Sequence, residues 1–197
     1  MFCCSGFSIR LSLCKRIFVS ILNMKSLISK ILLFIGIAAL VGCKDKAPNQ
    51  ELEEWVELER FMGTWYVHGY TPTFMDKDPF GATETYKLNN SGKIETTYRY
   101  NVGDSNGKEK VLRPIGWVFD ETNNAEWRMR FFGVLTSPYY ILHVDDVYQH
   151  TVVGHPGKKM SWIMSRSPEI DEQVYESLLN ELREREYDLE AIERMAH

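Results

Sequence analysis

The stretch Phe61-Met62-Gly63-Thr64-Trp65-Tyr66-Val67-His68-Gly69-Tyr70 decides the fold of this chain. Gly63 allows a tight start without a side chain, and Trp65 follows two residues later on the same face of an extended strand. A tryptophan at the start of a first strand is suited to fill one end of a barrel. Val67 and Gly69 share the face of Trp65, so we predict that both line the barrel interior, where Gly69 leaves room.

The chain beyond this stretch reads as β-structure up to residue 165. Runs of β-forming residues alternate with turn residues such as Asn90-Ser91-Gly92 and Pro156-Gly157. Short connections imply antiparallel neighbours, and closing the sheet removes its exposed edges. The fold class is therefore all-β, an eight-stranded antiparallel up-and-down barrel. Its predicted strands are residues 64–70, 82–89, 93–101, 110–119, 126–132, 139–145, 148–153 and 159–165.

Alternation of apolar and charged residues indicates which side chains point into the barrel. In residues 93–101 and 126–132 one face is apolar and the other is charged. Residues 139–144 are apolar on both faces, so periodicity leaves their orientation open, including a position under a terminal helix. The predicted ligand-binding residues from these three segments are Tyr98, Tyr100, Trp127, Met129, Phe131, Tyr139, Ile141 and His143.

The sequence changes its period near the C-terminus. Asp171 is a residue type that caps helices, and Val174, Leu178 and Leu182 form an apolar stripe at helical spacing. The outer wall of the barrel is the large surface available to this stripe. We therefore predict a C-terminal helix packed on the outside of the barrel.

The first 42 residues have the layout of a secretory signal peptide. They contain five Lys or Arg and no acidic residue, and an apolar run at residues 31–41 precedes Cys43. That run is shorter than the roughly 20 residues that a spanning helix needs. Met24 would give a signal of ordinary length, which leaves residues 1–23 open as an over-extended start.

Leu40-Val41-Gly42-Cys43 is similar to the lipobox of bacterial lipoproteins, in which the cysteine becomes the acylated first residue. The resemblance implies acyl chains such as palmitate on Cys43, a tether at residues 43–57 and a folded domain at residues 58–197. Lys44 resembles the signal that sorts such proteins to the outer membrane, on its periplasmic side. An ordinary signal peptide that ends near a cysteine is the alternative.

Charge and residue usage exclude several function classes. From residue 43 onwards, 18 basic residues stand against 27 acidic ones, a net charge of −9. This argues against nucleic acid and anionic lipid surfaces as partners. Once Cys43 is acylated no thiol remains, no serine lies in a nucleophile elbow, and the histidines lack metal-ligand spacing. We predict neither enzyme activity, nor a metal, nor a cofactor.

Three motifs resemble the signature regions of the lipocalin family. They are the pair Gly63 and Trp65, the turn that carries Asp145 and Tyr148, and Arg166 after the last strand. The match is similar to the bacterial outer-membrane branch related to apolipoprotein D. The resemblance implies that these residues meet at the closed end of the barrel, with Arg166 stacked on Trp65. In that position they hold the fold and form no binding site.

The resemblance also implies a function, because bacterial lipocalins of this type are credited with binding fatty acids and lysophospholipids. An eight-stranded barrel holds one small ligand, and the aromatic lining suits an acyl chain. The expected role is a membrane-anchored lipid carrier in membrane maintenance. A filled barrel that serves as scaffold for a protein-interaction module is the alternative, and the oligomeric state, including a homodimer, stays open.

Overall fold

The stretch around Trp65 forms the first barrel strand, as predicted. The computed structural model describes residues 50–76 and 78–197, in which helix α1 (Leu58–Phe61) leads into β1 (Gly63–Tyr70). The predicted signal peptide and residues 43–49 of the predicted tether, which include Cys43, lie outside the described residues. Within the described part of the chain, no helix has the length and apolarity to cross a membrane.

The sheet closes into an antiparallel barrel, so the predicted fold class is confirmed. Successive strands are neighbours, and β1 pairs with β9 to close the wall. A short strand, β10, pairs with the far end of β1. The strands after β1 are β2 (Pro79–Leu88), β3 (Ile94–Val102), β4 (Glu109–Leu112), β5 (Ile115–Asp120), β6 (Glu126–Phe131), β7 (Leu135–Val144), β8 (His150–Gly154), β9 (Ser161–Ser165) and β10 (Glu193–Arg194).

The predicted strand 110–119 is divided into β4 and β5, which occupy one position in the wall. The break falls at Arg113-Pro114, where proline lacks the amide needed for a continuous ladder. Both pieces pair with β3. Strand β7 begins at Leu135 rather than at residue 139. Its pairing with β6 starts there and includes Pro138, which lies opposite Arg128.

Register shifts occur in the pairings β1–β9, β2–β3, β5–β6 and β7–β8, and the β-bulges in β1 and β7 move predicted interior residues to the outside. In β1, Val67 pairs with Met164 but Gly69 pairs with Ile163, so His68 is the extra residue. Gly69 therefore faces outward. A Cβ atom there would lie 2.6 Å from the Tyr175 hydroxyl, so the room it leaves is outside the barrel, which corrects the prediction for Gly69.

The second bulge lies in β7 and moves His143 to the outside as well. Ile141 pairs with Val153, whereas His143 pairs with the next residue back, Val152. The His143 ring lies near the Glu53 carboxylate, with 3.8 Å between Nδ1 and Oε2. The prediction that His143 lines the interior is corrected for the same physical reason.

Helix α2 (Glu172–Glu184) packs on the outer wall, which confirms the predicted C-terminal helix. The Asp171 carboxylate accepts hydrogen bonds from the amides of Gln173 and Val174 and caps the helix. The buried face of α2 joins an outer apolar cluster, separate from the cluster inside the barrel. Its buried members are Tyr140, Leu142, Val152, Ile163, Tyr175, Leu178, Leu182 and Tyr187.

Candidate functional site

Arg166 organises the closed end of the barrel. Its guanidinium lies over the Trp65 ring, with Cζ 3.7 Å from the ring centroid. It also donates hydrogen bonds to the carbonyl oxygens of Thr64, Arg60, Phe61, Met62 and Tyr148. Gly63 adopts a φ of +97°, and a Cβ there would lie 3.2 Å from the Arg166 guanidinium. The close approach of Arg166 therefore requires glycine.

The turn between β7 and β8 completes the closed end. Tyr148 adopts a φ of +57°, and its hydroxyl accepts a hydrogen bond from the Glu57 amide at 2.8 Å. The Asp145 carboxylate accepts hydrogen bonds from the amides of Gln149 and His150. These groups are satisfied by backbone and side-chain partners, and the turn has a structural role.

An aromatic floor lies between the closed end and the interior space. It consists of Phe61, Trp65, Tyr86, Trp127 and Tyr139, whose rings pack edge-on or stacked at centroid distances between 5.1 and 6.3 Å. The indole N–H groups of Trp65 and Trp127 donate to backbone carbonyl oxygens. This floor is filled, so a ligand has access only to the barrel above it.

A cavity of about 260 Å³ occupies the barrel above the floor. It brings together four of the predicted ligand-binding residues: Tyr98, Met129, Phe131 and Tyr139. It is also lined by residues 73–76 of the β1–β2 loop, and by Leu135, His155 and Met160 beside the loops at the same end. The loops at the end opposite Arg166 therefore surround the mouth.

The other predicted residues lie elsewhere. Trp127 is part of the floor, and Val67 and Ile141 are fully buried in the inner core. Tyr100 lies beside Tyr98, with 5.4 Å between ring centroids, and its hydroxyl donates to the Met75 carbonyl. Tyr100 therefore supports the loop at the mouth. Gly69 and His143 lie outside the barrel, as described above.

The sequence interpretation missed Glu84, which is nearly buried at the base of the cavity. The hydroxyls of Tyr86 and Tyr139 donate to its Oε2 atom. Burial, together with the nearby Asp76 carboxylate, raises the pKa of the Glu84 carboxyl to about 8. A signal was present, because Ala82, Glu84 and Tyr86 alternate in β2 and place the glutamate in an inward row.

The family comparison agrees with this geometry. The family model for the Lipocalin-like domain matches residues 56–197, which include the whole barrel, the closed-end residues and α2. The chain belongs to the lipocalin family. The matched residues of this lipocalin include Trp65, Tyr148 and Arg166 of the closed end.

Curated relatives of this lipocalin come from bacteria and plants. Temperature-induced lipocalin-1 of Arabidopsis thaliana is 28% identical over 155 residues, which cover 74% of this chain and 82% of the relative. Outer membrane lipoprotein Blc of Citrobacter freundii is 26% identical over 144 residues, with 71% and 80% covered.

Solved structures show the same fold in animal lipocalins. Insecticyanin from the tobacco hornworm Manduca sexta superposes with a TM-score of 0.61 at 18% identity, over 77% of this chain and 86% of that one. Lobster apocrustacyanin A1 gives a TM-score of 0.58 at 12% identity, over 77% and 93%. At these identities the comparison establishes the barrel architecture alone.

The cavity of this lipocalin is suited to noncovalent binding. Its lining is mostly apolar, with a few hydroxyl and carboxyl groups and the His155 ring, which is the composition of small-molecule pockets. Among the described residues, no group of three or more His, Cys, Asp or Glu side chains is arranged to hold a metal ion.

Proposed function

We propose that this lipocalin binds a single-chain lipid, such as a fatty acid or a lysophospholipid, in the cavity above the aromatic floor. The observation that carries the proposal is the apolar cavity, closed below by packed aromatic rings and bordered by loops at the other end. Its volume of about 260 Å³ is just below the usual range of ligand pockets, about 300–1,000 Å³. One acyl chain fits this space better than two.

We further propose that acylation of Cys43 anchors the protein to the bacterial outer membrane, with the barrel on the periplasmic side. The support is the lipobox-like sequence at residues 40–43 and the names of relatives described as outer membrane lipoproteins. Several acyl chains are needed for stable anchoring, at about 0.8 kcal/mol per buried CH₂. Such an anchor would keep the cavity close to its lipid source, in a role in membrane maintenance.

The alternative, a protein-interaction module, is favoured by one observation. Apolar side chains project into solvent from the β1–β2 and β6–β7 loops at the mouth of the barrel. We call them the apolar rim: Phe74, Phe132, Val134 and Leu135. Exposed apolar groups that lie together often mark contact surfaces. In this alternative the rim binds a partner and the cavity stays empty.

Native mass spectrometry tests the lipid proposal. A protein of residues 43–197 that carries Cys43→Ala is freed of lipid and then exposed to a total bacterial envelope extract. It should gain one adduct with the mass of a single-chain lipid. Leu112→Trp, which places an indole in the cavity, should abolish the adduct. Thr97→Trp, on the outer face of β3, is the matched control and should retain it. A bare protein mass for the folded protein would contradict the proposal and favour the interaction module.

A further inference from the structure

The base of the cavity carries a carboxyl group that points into it. In β2, Glu84 pairs with Trp65 of β1 and with Tyr98 of β3, and all three side chains face inward. The Tyr86 and Tyr139 hydroxyls donate to one carboxyl oxygen, Oε2. No hydrogen bond to Oε1 is formed by the described residues, so this oxygen is available to a ligand.

Two buried hydroxyls in the same cavity have no hydrogen-bond partner among the described residues. They are Tyr98 Oη and Thr96 Oγ1, and their residues are only 6% and 3% exposed. Burial raises the pKa of the Tyr98 phenol, and the nearby Asp76 carboxyl raises it further. Because a buried polar group without a partner costs about 1–3 kcal/mol, these hydroxyls indicate a polar ligand group that binds between them.

Among the described residues that line the cavity, the groups that carry a full charge are acidic. Asp76 lines it from the β1–β2 loop, and its carboxylate accepts a hydrogen bond from the Thr73 hydroxyl at 2.8 Å. Among the described lining residues there is no Lys or Arg, and burial lowers the pKa of His155, which keeps its ring neutral at pH 7. A carboxylate or phosphate at the base would therefore meet acidic groups without a compensating cation.

We propose that the base of the cavity binds a primary ammonium group at the end of a single alkyl chain. Three N–H bonds would be directed to Glu84 Oε1, Tyr98 Oη and Thr96 Oγ1, and the chain would extend past Phe131 and Leu135 to the mouth. This rests on the proposed function, since it requires that one single-chain lipid enters the cavity. A fatty acid would bind the other way round, with its carboxylate at the mouth.

The number of protons released when an ammonium group binds at Glu84 is measurable. With a pKa of about 8, Glu84 is mostly protonated at pH 7 in the empty protein. Its carboxyl faces the tyrosine hydroxyls of Tyr86, Tyr98 and Tyr139 and the carboxyl of Asp76. An arriving ammonium favours the carboxylate, so binding releases close to one proton to the solution.

Titration calorimetry with three probes of equal chain length tests the inference: dodecylammonium, dodecanol and dodecanoate, each below its micelle concentration at pH 7. Residues 44–197 are suitable, because the described residues from 50 onwards contain both the inner and the outer apolar cluster. We expect dodecylammonium to bind at least tenfold more tightly than dodecanoate. Repeating the titration in two buffers of different ionisation enthalpy should reveal the released proton.

Variants distinguish binding through the ammonium contact with Glu84 from binding through apolar contacts alone. Glu84→Gln should lower the affinity for dodecylammonium at least tenfold and change the affinity for dodecanol less than threefold. Tyr98→Phe should lower the affinity for dodecylammonium about threefold. This variant provides the test if Glu84→Gln does not fold. Glu95→Gln is the matched control, since it makes the same change at an exposed position of β3.

The outcomes distinguish this inference from the proposed function. If dodecanoate binds as tightly as dodecylammonium and the variants change neither, the ammonium site is disproved while lipid binding stands. If the folded protein binds none of the three probes, both are disproved.

Discussion

Arg166 joins three chain segments at the closed end of the barrel. Its guanidinium contacts the carbonyl oxygens of α1, of the start of β1 and of the β7–β8 turn, and it covers the Trp65 ring. Burial lowers its pKa to about 10, which still leaves it charged at neutral pH. A planar group with five donors can satisfy this set of acceptors, whereas an ammonium cannot.

Replacing Arg166 by lysine should therefore destabilise the protein although the charge is kept. We expect Arg166→Lys to lower the free energy of unfolding by about 2–4 kcal/mol, because several carbonyl groups lose a charged donor. Urea unfolding followed by tryptophan fluorescence measures this. Arg183→Lys, at an exposed position of α2, is the control and should change the value by less than about 0.5 kcal/mol. Equal effects of the two variants would contradict the role given to Arg166.

Glu84 should make the stability of the empty protein depend on pH. Its pKa is about 8 in the folded protein, against a usual value of 4.5, so the folded state holds the proton more tightly than the unfolded state. The free energy of unfolding should therefore fall as pH rises from about 4.5 to 8, by at most about 1.4 kcal/mol per pH unit from this group.

Urea unfolding between pH 5 and 9 measures the slope, and Glu84→Gln should remove it. His68 acts in the opposite direction, because burial lowers its pKa to about 4 and stability is lost as pH falls below 6.5. The His68 contribution is the same in the unmodified protein and in Glu84→Gln, so it cancels when one stability profile is subtracted from the other. Parallel profiles for the two proteins would show that Glu84 is not protonated in the folded state.

Among the secondary-structure elements, α2 and the residues after it pack closely on the outer wall at two glycines. Gly69 of β1 lies under the Tyr175 ring, and Gly154 of β8 lies under the Tyr187 ring. The missing Cβ atoms let both tyrosines approach the backbone of the wall. These contacts fix the position of the C-terminal segment along the barrel.

The contact at Gly69 can be tested by a pair of substitutions. Gly69→Ala would place a methyl group 2.6 Å from the Tyr175 hydroxyl, and we expect it to lower the free energy of unfolding by about 1–3 kcal/mol through overpacking. Adding Tyr175→Phe removes that hydroxyl and should restore part of the loss. The control Gly157→Ala, at an exposed loop position, should be close to neutral. Equal stability of the single and double variants would place the strain elsewhere.

The strand pattern was predictable from sequence because alternation and turn residues are local signals. The bulges at His68 and Leu142 were not, since one extra residue changes the face of all that follow while the apolar pattern continues. Gly69 and His143 were misplaced for this reason. The break at Pro114 did have a local signal, because proline disfavours a continuous strand.

The candidate site was predictable only where apolar alternation marks the interior. Alternation predicted Tyr98, Met129 and Phe131, which line the cavity, whereas it left the orientation of Tyr139 open. Glu84 was missed because an acidic residue in a strand reads as solvent-facing, and its burial depends on partners from another strand. The loop residues at the mouth have no periodicity, and their contribution to the cavity follows only from the closed barrel.

For the whole molecule, the C-terminal segment completes the wall between β1 and β2. The Gly81 amide donates to the Ala196 carbonyl at 2.7 Å, and the Met195 amide donates to the His68 carbonyl at 2.9 Å. The Met195 side chain is buried in the inner cluster. Residues 193–197 therefore act as part of the barrel and not as a tail.

Removing residues 193–197 should open the wall at this point. We expect the free energy of unfolding to fall by at least about 3 kcal/mol, because a buried side chain and several backbone partners are lost. The amide of Gly81 should also lose protection from hydrogen exchange. Met195→Ala is the matched control, which should lose stability but retain the Gly81 protection. A truncated protein with unchanged stability would contradict the structural role of β10.

The closing contacts of this barrel also determine when the chain can fold. Strand β1 is among the first segments to be synthesised, yet it pairs with β9 and β10, about 100 to 125 residues later in the sequence. Contacts so distant along the chain form slowly, because the intervening loop must be ordered first. A nascent chain that has not reached β9 holds an open sheet with no stable closure. Such a chain cannot close the barrel until β9 is available to pair with β1.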